Sequence, residues 1–412
     1  MRILKAFGVV VLSLSVIANV IYWQDPWLWR GYYNFITSGS DIASDQRLKP
    51  DEEIRGDGSF VLPVATAETR TISDEALKAM EAYASEYNSY AMIVIHNGVI
   101  QDEWYPEFWS AKKITQSQSM HKTLQALLIG VAIDEGKIAS IDDPVGKYIG
   151  EWTNDPRGQI TLYQLMTMSS GLTEPGFSPN PFSDGIKWMN SGYSSDVILR
   201  TPMDTWAPGS KYHYNNLNSE LLGMVITRVF KKRYSDVLLE KLWQPMGGER
   251  AFVHTDRPGG RAYTSCCLGA PAMDWARIGM MFLGKGEVNG HRVVSADWIA
   301  KMTERSPTAR HYGLQTWLGY DNPPIPEGAG STGAIASGPY LARDTFLTWG
   351  RGQQHVWVVP SQDLIVVRIG PALGRQPIKP GFDVTYLVNT AIKGLKTSAE
   401  GAFDTQSAPP AN

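Results

Sequence analysis

Residues 110–136 read SAKKITQSQSMHKTLQALLIGVAIDEG, and two Ser-x-x-Lys spacings stand in them almost end to end, Ser110 with Lys113 and Ser119 with Lys122. A chain of this length holds about one such spacing by chance, so the surroundings of each copy decide its meaning. Ser110 follows Phe108 and Trp109, has Lys112 beside Lys113, and opens no long apolar run. It reads as a solvated loop or strand end. Ser119 opens a run in which Leu124, Leu127, Leu128 and Val131 recur at helical spacing, Ile129 and Ile133 fill the other faces, and Gly136 can cap the end. A helix apolar on nearly all sides is a buried one, so Ser119 is expected at the N-terminus of a central core helix.

That placement has chemical consequences. One helical turn puts the Lys122 side chain on the same face as the Ser119 hydroxyl, and partial burial lowers a lysine pKa toward a value at which the neutral amine acts as a base. The helix N-terminus stabilises negative charge developing beside the serine. Serine with an adjacent lysine is a known form of activated nucleophile. His121 points elsewhere on the helix and reads as a packing or surface residue.

Outward from this stretch the elements alternate in type. SDEALKAMEAYASEY (73–87) is helical in pattern, with Ser73 as N-cap and acids in its first turn. YAMIVIHNGVIQDEWY (90–105) alternates and breaks at Asn97-Gly98, a hairpin signal. QHVWVVPSQDLIVVRIG (354–370) is two β-rich runs about a turn, followed by the helical DVTYLVNTAIKGL (383–395). Hairpins and helices from both ends thus bracket a long, mostly helical stretch, about 119–260. The arrangement predicts an α+β fold: an antiparallel sheet built from both ends and flanked by helices, with a mostly helical second subdomain.

Composition bounds the rest. With 43% hydrophobic and 19% charged residues and a formal charge of -3, the 412-residue chain has no polyanion-binding bias, which argues against nucleic acid as a partner. No CxxC, HExxH or His/Cys cluster points to a metal. The two cysteines, Cys266 and Cys267, are adjacent; they form no ordinary disulfide framework and read as buried packing thiols.

Within residues 1–30, an uncharged run at 6–23 follows a basic start and is long enough to cross a bilayer, and Trp23, Trp27, Trp29, Tyr32 and Tyr33 suit the headgroup region. The expectation is an uncleaved membrane anchor in the inner membrane, with a cleaved signal peptide as the alternative. The remainder would stand on the periplasmic side. Residues 31–71 read as a linker or draped arm, 72–395 as one catalytic unit, and 396–412 as a disordered tail.

The chain resembles the penicillin-recognising serine hydrolases, in the branch that contains class C β-lactamases, D,D-peptidases, esterases and 6-aminohexanoate-dimer hydrolase. The resemblance rests on SQSMHKTLQALLIGVAIDEGKIASIDDPVGKYI, ITLYQLMTMSSGL (160–172), PGSKYHYNNLNSELLGMVI (208–226) and GRGQQHVWVVPSQDLIVV, in order, and covers residues 75–395. It implies a β-lactamase/transpeptidase-like fold with no metal or cofactor. It implies Ser119 as nucleophile, with Lys122 and Tyr214, from a Tyr-x-Asn motif, as general base and acid. Tyr32-Tyr33-Asn34 and Tyr320-Asp321-Asn322 share that spacing, but only Tyr214 stands between Pro208-Gly209 and the LLG helix. Asn216 would orient Lys122 and bind the substrate amide. The third motif, Lys- or His-Thr-Gly in the family, is matched by Thr348-Trp349-Gly350 and then Arg351. Glycine is kept and the cation is not, which fits esterase and amidase members better than β-lactamases. Backbone N–H groups of Ser119 and Arg351 would form the oxyanion hole, with Gly350 and Trp349 lining the substrate and Arg351 or Lys211 standing in for the lost cation. In the segment 173–193, Phe177, Phe182 or Trp188 would wall the pocket. The implied activity is cleavage of a small ester or amide through an acyl-enzyme. A β-lactamase or D,D-peptidase, and a penicillin-binding sensor without turnover, are the alternatives.

Overall fold

The computed structural model describes residues 13, 15–16, 19–38, 50–176, 178–319, 334–371 and 379–396. Its strands are β1 (Asp51–Arg55), β2 (Ala91–His96), β3 (Val99–Trp104), β4 (Thr115–Gln116), β5 (Arg250–His254), β6 (Leu268–Ala270), β7 (Glu287–Val288), β8 (His291–Arg292), β9 (Trp317–Leu318), β10 (Phe346–Gly350), β11 (Gln354–Val359) and β12 (Leu364–Ile369). The main sheet is antiparallel in the order β3-β2-β12-β11-β10-β9. Its N-terminal hairpin turns at Asn97 and Gly98, whose positive φ of 51° and 72° suits the tight turn that the sequence signals. β2 then pairs with β12 from the far end of the chain.

Period-two alternation assigns the two faces of this sheet. Ile93, Ile95, Val356, Val358, Ile365 and Val367 look into one core, while Met92, Val94, Trp357, Val359, Leu364 and Val366 look into the other. The helix Ala272–Leu283 covers the first face, coming so close at Gly279 that a Cβ there would stand 2.9 Å from Ile365. Helices Asp74–Glu86, capped by Ser73, and Tyr386–Lys393 pack together on the second.

The first core continues into the helical part. There the helix His121–Asp134, with residues 121–132 all buried, packs on the helix Asn216–Phe230. The turn leading into His121–Asp134 meets the end of β10, so the nucleophile candidate lies where sheet and helices join.

A second sheet, in the order β1-β5-β6-β4, differs from the sequence expectation. β1 lies in the segment read as a linker, and β5 in the stretch read as helical. DEEIR offers one apolar residue, Ile54, so no periodic signal exists until β5 supplies its pairing and its floor. Ile54 is completely buried. A further helix, Pro26–Ser38, rests on the helix Asp184–Asn190 through Leu28 and Ile186. Most of the apolar run 6–23 and the tail from 397 lie outside the described residues; among those described, no helix is long and apolar enough to cross a membrane.

Because Ile54 fills core space, Ile54→Ala should destabilise the protein by about 2–5 kcal/mol in urea unfolding. A freely draped arm would give no measurable change.

Candidate active site

Ser119 stands in the short 3₁₀ turn Gln118–Met120, which runs directly into the helix His121–Asp134. Gln118 has φ +50°, a left-handed conformation that non-glycine residues hold only where packing enforces it. Ser119 is left partly exposed, while Gln118, Met120 and Lys122 are buried. Lys122 is 2% exposed, yet its ammonium is satisfied: Nζ donates to Ser119 Oγ at 3.0 Å and to the Ser265 carbonyl at 2.6 Å. It also lies 5.0 Å from the centroid of the Tyr214 ring. Serine, lysine and tyrosine from segments ninety-five residues apart therefore meet around one ammonium.

Tyr214 is placed from both sides. Its ring stacks on Trp317, with centroids 5.7 Å apart and planes at 21°. Behind it, the His213 N–H donates to the Met168 carbonyl at 2.8 Å, and Asn215 caps the helix Asn216–Phe230 while its amide donates to the Leu172 carbonyl at 2.7 Å. The segment 168–172, with Met168 and Gly171 at positive φ, thus shapes the loop that carries the tyrosine.

Segment 264–266 is clamped between two helices. From the nucleophile helix, Gln125, Lys122 and His121 donate to the carbonyls of Thr264, Ser265 and Cys266 in turn. From the tyrosine helix, fully buried Glu220 accepts the N–H groups of Thr264 at 3.1 Å and Ser265 at 3.0 Å and the Ser265 hydroxyl at 2.6 Å, and pairs with Arg261. Burial alone would raise the Glu220 pKa, but Arg261 and these donors together hold it below the ordinary value. His121 is occupied on both sides. A carbonyl can only accept, so Nδ1 carries the proton to Cys266, and Nε2 accepts from the Tyr234 hydroxyl at 2.9 Å. Burial depresses its pKa to about 4.

The cysteines differ from the expected packing thiols: Cys266 and Cys267 are joined to each other. Adjacent cysteines can close such a ring only in a special backbone conformation, and Cys267, next to the clamped segment, has φ +71°.

The third motif sits as a close edge. A Cβ on Gly350 would stand 2.3 Å from the Ser117 carbonyl, so β10 touches the nucleophile turn only because glycine is there. Thr348, on the same side of β10, is 2% exposed with an unpartnered hydroxyl. Trp349 is corrected by the strand alternation. Its ring faces the other core, packed on Trp317 and His355, and so stands behind the ring that supports Tyr214. Arg351 is exposed at the turn after β10, and Lys211 is exposed as well.

Asn216 is also placed differently from expectation. Lys122 takes Ser119 and Ser265 as partners, and the Asn216 side-chain amide donates to Glu174 Oε1 at 2.8 Å. Phe182 is 54% exposed and meets Trp29 rather than a substrate wall; Trp188 is buried, and Phe177 lies outside the described residues. Among the described residues, no group of His, Cys, Asp or Glu side chains could hold a metal.

Glu174, Glu220, Ser265 and Trp317 went unread in the sequence. Glu220 left a trace: one carboxylate among LNSELLGMVI, where its helical neighbours are all buried, signals a paired internal charge. The other three are ordinary residues in loops or a short strand.

Removing the Glu220 carboxylate takes from buried Arg261 the acid it pairs with, so Glu220→Ala should cost about 3–5 kcal/mol in urea unfolding. In the variant that remains folded, labelling of Ser119 by a fluorophosphonate should slow, because the Ser265 carbonyl loses its anchor. Gly350→Ala should slow the same labelling by about 10²-fold and also lower the thermal midpoint, since its Cβ displaces β10 from the nucleophile turn.

Comparison with known proteins agrees with this fold. The chain is similar to the 6-aminohexanoate-dimer hydrolase of Paenarthrobacter ureafaciens, 23% identical over 303 residues that cover 71% of this chain and 75% of that protein. Among solved structures, "Putative 6-aminohexanoate-dimer hydrolase from Bacillus anthracis" is similar at a TM-score of 0.64 and 20% identity, over 88% of this chain and 92% of that one. A family VIII carboxylesterase is similar at 0.59 and 15% identity, over 79% and 98%. These likenesses show a shared fold. The model of the Beta-lactamase family matches residues 77–369, which span the nucleophile turn, the Tyr214 loop and the main sheet through β12, and the chain belongs to that family.

Proposed function

We propose that the protein is a serine hydrolase that cleaves a small ester or linear amide through an acyl-enzyme on Ser119. The carrying observation is the buried Lys122 ammonium, bonded to Ser119 Oγ and set against the Tyr214 ring. In the first step Ser119 Oγ bonds to the substrate carbonyl carbon as its one proton passes to the neutral amine form of Lys122, to be carried on through the Tyr214 hydroxyl. The oxyanion forms against the backbone N–H groups of Ser119 and Arg351. The bond to the leaving group then breaks as Tyr214 returns the proton to the departing oxygen or nitrogen. Water enters by the same proton route, and the acid leaves with Ser119 restored.

The substrate class follows from the third motif. β10 carries threonine where β-lactam-binding relatives have a cation, and Arg351 is turned to solvent. Among the described residues β10 offers no buried counter-charge to a carboxylate held beside the scissile carbonyl, which favours acyl compounds without one there over β-lactams. The matched 6-aminohexanoate-dimer hydrolase and the carboxylesterase fold support the same choice. As part of this reading the catalytic domain stands outside the cytoplasm, tethered to the inner membrane; the uncharged run 6–23 and the aromatic residues after it support that placement.

The test is hydrolysis of p-nitrophenyl esters, 6-aminohexanoate dimer and a chromogenic cephalosporin by the full chain. Ester or amide turnover should exceed cephalosporin turnover, vanish in Ser119→Ala, and fall about 10²–10⁴-fold in kcat in Tyr214→Phe. Turnover that survives Ser119→Ala contradicts the assignment, and a stable cephalosporin adduct without turnover replaces it with a sensor.

A further inference from the structure

Arg368, on β12, is 1% exposed, and among the described residues no carboxylate pairs with its guanidinium. A cation taken out of water is tolerated only where hydrogen bonds replace the water it has lost. Here they run to neutral acceptors on two segments. Nε donates to Ser89 Oγ at 2.8 Å and Nη2 to the Tyr87 carbonyl at 2.7 Å. Tyr87 is the C-cap of the helix Asp74–Glu86, the end at which a helix dipole favours a cation. Nη1 donates to the carbonyls of Gly352 and Gln353, both at 2.8 Å. The guanidinium face rests on Phe382, 4.8 Å from the ring centroid.

Gly352 and Gln353 lie in the turn that joins β10 to β11. Both are left-handed, at φ +87° and +61°, and turns with such residues differ from one another by the rotation of single peptide planes. Two successive carbonyls bonded to one nitrogen fix two of those planes. The end of β12 is shaped to allow it: a Cβ on Gly370 would stand 2.0 Å from the Gly352 carbonyl oxygen and 2.1 Å from Arg368 Nη1. Gln354, which opens β11, adds a second fastening, since its Oε1 accepts the Gly370 N–H at 2.8 Å and its Nε2 donates to the Gly370 carbonyl at 3.2 Å. On the other side of the turn Gly350 pairs with Gln354 and touches Ser117. Arg351 therefore stands between two fixed ends.

We propose that Arg368 is a positioning residue for the oxyanion hole: by holding the Gly352 and Gln353 carbonyls it sets the turn that aims the Arg351 N–H at the reacting carbonyl oxygen. This rests on the acyl-enzyme reading above, which gives the Arg351 N–H that part. Bonds from a charged donor are stronger than neutral ones, and a planar fork can hold acceptors on two segments at once. A lysine ammonium in its place keeps the charge and loses the fork.

The test compares p-nitrophenyl acetate with its thionoester, in which sulfur replaces the carbonyl oxygen. Sulfur is larger and a weaker acceptor, so aimed N–H donors favour the oxygen ester, whereas hydroxide in solution brings no such donors. The readout is the kcat/KM ratio of oxygen ester to thionoester, divided by the same ratio for hydroxide. Misfolded protein lowers both enzyme rates together and cancels. The wild type should give a ratio of about 10², the reach of one oxyanion donor, and Arg368→Lys should lower it about tenfold. Gly370→Ala, which pushes the Gly352 carbonyl off the guanidinium, should lower it likewise and decides alone if Arg368→Lys does not fold. Ser89→Ala removes a bond that does not reach the turn, so it should lower the thermal midpoint and keep the wild-type ratio. A wild-type ratio in either folded turn variant overturns the proposal, as does an equal fall in Ser89→Ala. If the wild type discriminates no better than hydroxide, the acyl-enzyme reading falls and the proposal with it.

Discussion

The Ser265 carbonyl is the fixed point of this structure. At 2.6 Å it holds the ammonium of Lys122 inside a core that would otherwise reject a charge, and it is itself held by the donors that Glu220 accepts from Thr264 and Ser265. Lys122 belongs to the nucleophile helix and Glu220 to the tyrosine helix. The segment between them therefore sets the distance between base and nucleophile on one side and Tyr214 on the other. A buried charge without partners costs several kcal/mol, so neither helix can shift without breaking a charge-assisted bond. Cys266 and Cys267, joined in the same segment, and His121, bonded to the Cys266 carbonyl, tighten it further.

The sheet supplies the other wall by shape. Its edge strand can approach Ser117 because Gly350 has no side chain, and the ring of Trp317 beyond it supports Tyr214. Ser119, Lys122 and Tyr214 thus stand at the junction of two cores. Positioning on packed elements is what brings a serine, a lysine and a tyrosine ring around one nitrogen.

The parts that were legible in the sequence are those that carry their own periodicity. The Asn97-Gly98 hairpin, the β11–β12 pair, the helix behind Ser73 and the all-apolar helix after Ser119 each bury a regular pattern, and each stands where that pattern puts it. Ser119 and Lys122 are separated by one turn, so local geometry alone brings them together. β1 was illegible because its five residues have one apolar member and become a strand only by pairing with β5. Trp349 was misread as a substrate wall because a three-residue motif does not say which face of the strand each residue takes. Glu174 and Ser265 act through hydrogen bonds to residues 42 and 143 positions away, a kind of contact that no local pattern encodes. The bond between Cys266 and Cys267 goes with a positive φ at Cys267 that no local pattern encodes.

The account stands or falls on which serine carries the acyl group. The direct measurement is peptide mapping by mass spectrometry after acid quench during turnover of a p-nitrophenyl ester. The predicted result is an acyl adduct on Ser119, absent in Ser119→Ala and accumulating in Tyr214→Phe. An adduct on Ser110, on Ser265 or on a cysteine, or steady turnover with no trappable adduct, would contradict it.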